Sequence, residues 1–334
     1  MRCFMNKKTI SSSILCFLAA IFVLSICITT IVGCASQEIE NSTHINISSL
    51  KGPTSIGIAK MLEESEDKYN VEMCTSADLI APKLANGSTD IALIPANIAS
   101  SIYSKTNGAI KVIDINTKGV LYGISYDENT KNIQDLKGKK VYMTGSASIP
   151  QYTLDALLDA YSMCESDINI EFKSEPAEVI SALSANREAF AILPQPYVAA
   201  ACAKDNELHI NISLSDEWDK TYYNEGSLCV TGVTVVRTDF LENHPDAVKQ
   251  FLNDHSSSID FVTNNTNKTA EIIVNAGIIN NTEIAEKSID ACNVVCITGE
   301  EMKTALGNYL WKMQEFNAEL IGGTMPDDDF YYLG

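Results

Sequence analysis

Two short loops rich in Gly, Ser and Thr carry the clearest potential for binding chemistry. Each loop follows an apolar segment that predicts a strand and precedes a segment that predicts a helix. Unpaired N–H groups and the positive end of the helix dipole face out of such a loop, and hydroxyl groups add further hydrogen bonds. An anionic or strongly polar group would be held there, whereas the bland alternative is that these Ser and Thr residues are helix N-caps. The loops are Gly52, Pro53, Thr54 and Ser55, and Thr144, Gly145, Ser146, Ala147 and Ser148.

Two further loops begin where proline stops a predicted strand. Ile91–Ile94 ends at Pro95, and Phe190–Leu193 ends at Pro194. In open α/β sheets, ligands collect beyond the carboxyl ends of the strands, where all four loops would lie. In addition to residues 52–55 and 144–147, we predict ligand contacts from Ala96, Asn97, Gln195, Pro196 and Tyr197, and from Tyr122 and Gly232 on two strands that connect the halves of the chain.

The ligand is expected to be organic, because positive side chains are scarce at these loops. The chain has 24 Lys and Arg against 43 Asp and Glu, a net charge of −19, which disfavours nucleic acid and anionic lipid surfaces as partners. Lys51 is the only Lys at a predicted loop, and none holds an Arg, although a strongly charged anion would usually recruit such residues. Several tyrosines near the predicted cleft suit an organic sulfonate or a heterocyclic vitamin precursor instead: Tyr122, Tyr152, Tyr197, Tyr222 and Tyr223.

The sequence lacks the patterns of an enzyme or a metal site. The four His residues are scattered, and no G-x-S-x-G, Walker, H-E-x-x-H or G-x-G-x-x-G motif is present. No Cys-x-x-Cys pair occurs, which disfavours zinc, and Asp327–Asp329 lacks the ligand spacing of a calcium loop. Of the six cysteines beyond Cys34, only Cys292 and Cys296 are a candidate disulfide pair. We predict a binding protein without enzymatic activity, metal or cofactor.

The elements that position the four loops repeat once along the chain. Ile91–Pro95 aligns with Phe190–Pro194 at an offset of 99 residues. In both copies, a strand, a Gly-containing turn and a helix are followed by a helix, a strand and a proline. This order predicts two similar α/β lobes. We assign residues 49–120 and 230–334 to a discontinuous lobe one, and residues 121–229 to an inserted lobe two.

The first 48 residues predict a targeting segment and a tether rather than a folded element. Positive residues at positions 2, 7 and 8 precede an apolar segment from Ile14 to Val32, the pattern of a secretory signal. The segment ends at Gly33-Cys34-Ala35, which resembles a bacterial lipobox. We therefore predict a signal peptide over residues 1–33, lipid on Cys34 and a tether over residues 34–48. The alternative is an uncleaved membrane anchor.

Three segments, together with the lipobox, resemble the extracellular solute-binding lipoproteins of ABC importers, in the nitrate, alkanesulfonate, taurine and thiamine-pyrimidine group. The resemblance extends along nearly the whole mature chain. It implies the type II periplasmic-binding fold, in which two α/β lobes joined by two crossover strands clamp a ligand in the cleft between them. The segments are Leu50-Lys51-Gly52-Pro53-Thr54, Asp135-Leu136-Lys137-Gly138-Lys139-Lys140-Val141 and Pro326-Asp327-Asp328-Asp329-Phe330-Tyr331-Tyr332.

The same resemblance implies a function and a location. A lipid-anchored monomer on the extracellular face of a bacterial membrane would capture a small solute by hinge closure and deliver it to an ABC permease and its ATPase. The solute would be an organic sulfonate such as taurine, or a related polar or heterocyclic compound. A receptor for a thiamine-pyrimidine precursor, nitrate or bicarbonate is the alternative. A ligand-sensing lipoprotein without a transport partner is a rival from a different class.

Overall fold

The computed structural model of this protein describes residues 44–64 and 67–334. The predicted signal peptide, the lipidation of Cys34 and the tether as far as residue 43 lie outside the described residues. Across the described residues, no helix is both long and apolar enough to cross a membrane.

Strands and helices alternate along most of the described chain, as expected for an α/β protein. In chain order, the strands are β1 (Ile45–Leu50), β2 (Tyr69–Cys74), β3 (Ile91–Pro95), β4 (Ile110–Lys118), β5 (Leu121–Ser125), β6 (Lys140–Met143), β7 (Asn169–Phe172), β8 (Phe190–Pro194), β9 (His209–Ser213), β10 (Val230–Arg237) and β11 (Val294–Ile297). The helices are α1 (Pro53–Ile56), α2 (Ala59–Glu64), α3 (Ile80–Asn86), α4 (Ala96–Thr106), α5 (Ile149–Ala160), α6 (Pro176–Ala185), α7 (Tyr197–Lys204), α8 (Leu214–Thr221), α9 (Thr238–Asn243), α10 (Pro245–Asn264), α11 (Thr266–Asn275), α12 (Thr282–Ser288) and α13 (Gly299–Phe316).

The first sheet has the strand order β11-β4-β10-β3-β1-β2. Within it, β3 pairs in parallel with β1 and antiparallel with β10. Ile91 and Leu93 belong to one apolar cluster, whereas Ala92 and Ile94 belong to another, and all four are fully buried. Because successive side chains of a strand point to opposite faces, helices must cover both faces here. The continuous apolar sequence of β3 is explained by this burial.

The second sheet, of order β7-β6-β8-β5-β9, repeats the central arrangement of the first. Its strand β8 pairs in parallel with β6 and antiparallel with β5. The two aligned segments, Ile91–Pro95 and Phe190–Pro194, therefore occupy equivalent positions in the two sheets. The first sheet takes its strands from residues 45–118 and 230–297, and the second from residues 121–213. The chain passes between the sheets through Gly119–Val120 and returns through residues 222–229.

The C-terminal helix α13 packs against elements of both sheets. Its Tyr309 ring lies 5.4 Å from the ring of Trp218, a fully buried residue of α8, which follows the last strand of the second sheet. Its Lys312 Nζ lies 5.2 Å from the centre of the Tyr222 ring, and the Phe316 ring lies 6.0 Å from the ring of Tyr152 on α5. Met302 and Leu306 of α13 also belong to the apolar cluster that includes core residues of both sheets. This helix consequently joins the two sheets beyond their two chain connections.

The structure corrects three expectations about local structure. The predicted tether over residues 34–48 ends before residue 45, because Ile45–Leu50 forms β1 and Ile45 and Ile47 are buried in the core. The helix predicted after the first loop is not continuous: it is interrupted at Gly57, so α1 is only four residues long and α2 begins at Ala59. A Cβ at Gly57 would lie 2.7 Å from Ile259 Cδ1, which shows how closely α10 packs at this break. The candidate disulfide is not formed, because Cys292 and Cys296 are both free thiols.

Candidate ligand-binding site

Strand register brings the predicted loops of the first sheet to one edge. Ser49 of β1 lies opposite Leu93 of β3, so these parallel strands end at the same edge. Gly232, near the start of the antiparallel β10, lies opposite Pro95. Residues 52–55, Ala96, Asn97 and Gly232 therefore share the edge at which the parallel strands end.

The second sheet gathers its predicted residues in the same way. Met143 of β6 lies opposite Ile192 of β8, and Leu121 at the start of the antiparallel β5 lies opposite Pro194. One edge of this sheet therefore gathers the loops after β6 and β8, residues 144–147 and 195–197. Tyr122 lies at the same edge, near the start of β5.

A cavity of about 250 Å³ lies where the two edges meet. At about 30 Å³ for each water in the liquid, this volume equals that of about eight waters, the scale of a small organic molecule. The lining combines residues after β3, the two connections between the sheets, the start of α5, the end of β8 and α13. The lining residues are Pro95, Asn97, Gly119, Val120, Leu121, Ile149, Pro150, Thr153, Pro194, Cys229, Val230, Thr231 and Tyr309.

Of the residues predicted from sequence, Asn97 alone lines this cavity. Pro95, Pro194 and Thr231 are immediate chain neighbours of predicted residues or loops, and the repeated proline stop was the signal that marked the first two. Tyr309 carried no such signal, because it reaches the cavity from the C-terminal helix through packing that no local pattern reports.

The hydroxyls of the first loop donate hydrogen bonds to the end of β1. Thr54 Oγ1 donates to the carbonyl oxygen of Leu50 at 2.9 Å, and Ser55 Oγ donates to the same oxygen at 2.6 Å. Ser55 Oγ also lies 2.7 Å from Ser49 Oγ, and both Thr54 and Ser55 are buried. These hydroxyls fix the turn from β1 into α1, so their first effect is to hold the shape of the edge.

The second loop is more open. Gly145 and Ala147 adopt positive φ angles of 86° and 53°, and Ser146 and Ala147 are exposed. Ser148 Oγ donates to the carbonyl oxygen of Gly145 at 2.7 Å, and the Ala147 N–H donates to Gln151 Oε1 at 2.8 Å. Since α5 begins directly after this loop and is twelve residues long, its dipole is directed toward the loop.

Some of the remaining predicted residues form hydrogen bonds within the protein, whereas others are exposed to solvent. Gln195 is buried, and its Oε1 accepts a hydrogen bond from the Ala199 N–H at 3.2 Å. Tyr122 is buried as well, and its hydroxyl donates to the Ala291 carbonyl oxygen at 2.9 Å. Burial raises the pKa of Tyr122 to about 12, so this hydroxyl stays protonated. Pro196 is partly buried, whereas Tyr197 is 45% exposed at the start of α7 and accessible to a ligand.

The cavity is electrically neutral near pH 7. Among the described residues, none of those that line it belongs to a charged residue type. Burial raises the pKa of the Cys229 thiol to about 12 and raises the pKa of the Tyr309 phenol well above its usual value, so both remain protonated. Lys118, next to the Gly119–Val120 connection, forms an ion pair with Asp219. The cavity therefore suits an uncharged group better than an anion.

A larger cavity, of about 680 Å³, lies elsewhere and contains none of the predicted residues. It lies between α4, β4 and the C-terminal tail, where Tyr103 donates a hydrogen bond to Asp327. Since it does not lie between the two sheet edges, we assign the candidate site to the smaller cavity.

Solved structures show the same two-sheet architecture. An ABC transporter from Parabacteroides distasonis is 23% identical with a TM-score of 0.72, over 87% of this chain and 99% of that chain. The periplasmic aliphatic sulphonate binding protein SsuA from Escherichia coli is 14% identical with a TM-score of 0.66, over 86% and 92% of the two chains. A putative nitrate transport protein from Thermoplasma volcanium is 14% identical with a TM-score of 0.53, over 83% and 94%. These structures confirm the predicted type II periplasmic-binding fold.

No curated protein matches the chain significantly. The model of the family described as NMT1/THI5 like matches residues 82–269, which is more than half of the chain. The chain therefore belongs to the NMT1/THI5-like family.

Proposed function

We propose that this protein is the substrate-binding component of an ABC importer, which captures a small organic solute between its two sheets and delivers it to a permease and its ATPase. The cavity at the meeting point of the two sheet edges carries this proposal. Type II binding proteins of similar architecture include one described as binding aliphatic sulphonates and one described as a putative nitrate transport protein. No motif for enzymatic chemistry accompanies the cavity, which favours capture over turnover.

The neutral cavity favours one class among the solutes predicted from sequence. An organic sulfonate such as taurine, nitrate or bicarbonate would bring a negative charge into a lining without a cation. An uncharged heterocycle of the thiamine-pyrimidine type would instead use the apolar surface of Val120, Leu121 and Ile149. Asn97 and Thr231 would supply its hydrogen bonds. The exposed Ser146 and Tyr197 would complete the site as the cleft closes.

Closure would occur about the two chain connections. The proposed lobe one comprises residues 49–120 and 230–334, and lobe two comprises residues 121–229. Ligand binding would shift the population only by the difference between its affinities for the closed and open forms. Because α13 packs on elements of both sheets, its contacts with Trp218 and Tyr222 would have to persist or slide during that motion.

The N-terminal segment supports a location next to the permease. Cleavage before Cys34 and lipid on its thiol would hold the protein as a monomer on the extracellular face of the cell membrane, next to the permease. A lipoprotein that senses the same solute is the alternative. Deletion of the permease genes separates the two, since an importer component loses solute uptake and a sensor does not.

The direct test is a thermal-shift screen, in which the Tm of the purified protein is measured with each candidate solute. The panel contains hydroxymethylpyrimidine, thiamine, taurine, other alkanesulfonates, nitrate and bicarbonate. A solute at one hundred times its Kd raises the free energy of unfolding by about 2.7 kcal/mol, a readily measured shift in Tm. We expect the uncharged pyrimidine to stabilise the protein and nitrate to have no effect. Stabilisation by nitrate alone would contradict the solute class, and the absence of any ligand in the panel and in native mass spectra would contradict the receptor role.

Comparison of a cavity variant with a surface variant tests whether the solute binds in the cavity. Asn97→Leu removes the amide that lines the cavity, whereas Asn253→Leu changes an exposed Asn in α10. A hydrogen bond contributes about 0.5–1.5 kcal/mol net, so Asn97→Leu is expected to weaken binding by about two- to twelvefold in calorimetry. The Asn253→Leu control is expected to bind as the wild type does. Equal affinities of the two variants would place the solute elsewhere.

A further inference from the structure

Three side chains of different chemistry converge in the core between the first sheet and α10. They are the carboxylate of Asp114 on β4, the imidazole of His255 on α10 and the thiol of Cys296 on β11. One ligand atom from each lies within 4.8 Å of the other two. None of the three lines the solute cavity, so the cluster is separate from the proposed binding site.

Irregular strand pairing surrounds this cluster. The register between β11 and β4 shifts between Val294 and Ile297, the interval that contains Cys296. The register between β10 and β4 shifts directly after the pair of Thr234 and Asp114. A bulge turns side chains away from the direction that regular pairing would give them, and bulges are common beside functional sites. The backbone on both sides of β4 thus departs from regularity where these three side chains meet.

The hydrogen bonds of the cluster leave one atom without a partner. Asp114 Oδ1 accepts from Thr234 Oγ1 at 2.8 Å, and Asp114 Oδ2 lies 3.1 Å from His255 Nδ1. Asp114 and His255 are both completely buried. His255 Nε2 has no hydrogen-bond partner among the described residues. A buried nitrogen of this kind is generally completed by a water, so the protein contacts alone do not satisfy this imidazole.

We propose that Asp114, His255 and Cys296 form a binding site for a divalent transition metal, with zinc as the best fit. Zinc prefers carboxylate, imidazole and thiolate ligands in tetrahedral geometry, with bonds of about 2.0–2.2 Å to oxygen and nitrogen. Two such ligands on one ion lie about 3.3 Å apart, close to the present 3.1 Å between Asp114 Oδ2 and His255 Nδ1. The ion would replace the proton that these two atoms share.

Charge and access agree with this assignment. A doubly charged cation with one carboxylate and one thiolate has no net charge, which removes the main penalty for burying ions. Cys296 is partly exposed on the edge strand β11, so an ion and a water as fourth ligand would enter from that side. With Nδ1 on the metal, Nε2 would carry the ring proton. This nitrogen lies beside Gly57, since a Cβ built there would be 3.0 Å from Nε2, and a buried water would accept a hydrogen bond from it.

The site escapes a search for sequence motifs because its ligands come from distant segments. Asp114 and His255 are 141 residues apart, and no Cys-x-x-Cys pair marks Cys296. The competing explanation is a hydrogen-bonded core cluster that binds no ion. The two explanations differ in what cobalt and zinc do to the purified protein.

The test uses protein that has been treated with a chelator and dialysed, with Co²⁺ alone and then Zn²⁺ alone as probes. We expect one Co²⁺ per chain with a thiolate-to-cobalt charge-transfer band in the near ultraviolet, which Zn²⁺ abolishes by displacement. Cys296→Ser is expected to lose the band. Cys202→Ser, which changes another partly buried free thiol, is expected to retain it. Absence of the band in the wild type, or its survival in Cys296→Ser, would overturn the proposal.

A second measurement on the wild type does not depend on the folding of a variant. Alkylation is followed by mass spectrometry with and without Zn²⁺, and the exposed Cys164 serves as an internal reference. Zinc is expected to slow the labelling of Cys296 at least tenfold and to leave that of Cys164 unchanged. Equal labelling of Cys296 under both conditions would favour the ion-free core cluster. Neither measurement depends on the solute or on the proposed transport function.

Discussion

Gly232→Ala tests whether the edge of the first sheet is packed as tightly as the structure indicates. A Cβ at this position would lie 2.5 Å from Asn116 Oδ1 and 2.5 Å from Thr54 Cγ2. Contacts this short are essentially absent from folded proteins, so both neighbours have to move. Asn116 Oδ1 accepts a hydrogen bond from Thr117 at 2.8 Å, and Thr54 donates to Leu50 at 2.9 Å, so either movement strains a hydrogen bond.

The expected loss follows from these contacts. Insertion of a methyl group into a packed core costs about 1–3 kcal/mol, and two tethered neighbours place Gly232→Ala toward the upper end of that range. Gly307→Ala is the matched control, since a Cβ at this position in α13 meets only Tyr331 Oη at an ordinary 3.5 Å. Removal of a glycine from a helix interior is expected to raise the free energy of unfolding by about 0.5–1 kcal/mol. Substitution of Gly by Ala should therefore lower the free energy of unfolding at position 232 and raise it at position 307.

Urea unfolding of the wild type and both variants measures these differences through the midpoint at unchanged m value. Calorimetry with the solute adds a second readout, because a displaced Thr54 moves the edge that carries Asn97. We expect Gly232→Ala to be less stable than the wild type and to bind more weakly. A Gly232→Ala protein as stable as the wild type would refute the packing argument. Destabilisation with unchanged affinity would refute the link between this edge and the site.

Two further predictions concern buried polar groups. Burial and a neighbouring carboxylate raise the pKa of Asp155 from 3.8 to about 6, so the native state binds the proton more tightly and this group costs stability as pH rises from about 4 through 6. Asp155→Asn is therefore expected to raise the free energy of unfolding at pH 7.5 but hardly at pH 4 in urea titrations, and an equal effect at both values would contradict the assignment. Tyr122→Phe leaves the Ala291 carbonyl without its hydroxyl donor and is expected to cost about 1–2 kcal/mol, with solute affinity within about twofold of the wild type. A large loss of affinity without a loss of stability would instead make this hydroxyl a direct ligand contact.

The sequence determined the parts of the fold that depend on local patterns. The apolar strands that end at Pro95 and Pro194 predicted two equivalent strands, and the structure gives each one a parallel and an antiparallel neighbour. The turn at Gly145 was also readable, because its positive φ angle is one that glycine adopts without strain. Such signals lie within a few residues of the structure that they specify. The same patterns placed four loops at strand ends, which is where ligands of α/β sheets bind.

Tertiary structure alone decided which side chains face the cavity and which are engaged elsewhere. The type and position of Tyr122 predict a ligand contact, whereas only the structure shows that its hydroxyl donates to a carbonyl 169 residues further along the chain. Tyr309 reaches the cavity only because α13 packs on both sheets. Asp114 and His255 meet because β4 and α10 form layers of one core. Local sequence determines the hydrophobic periodicity of strands and helices and the positions of turns. Contacts between distant residues depend instead on strand register and helix packing, which involve every layer of the fold at once.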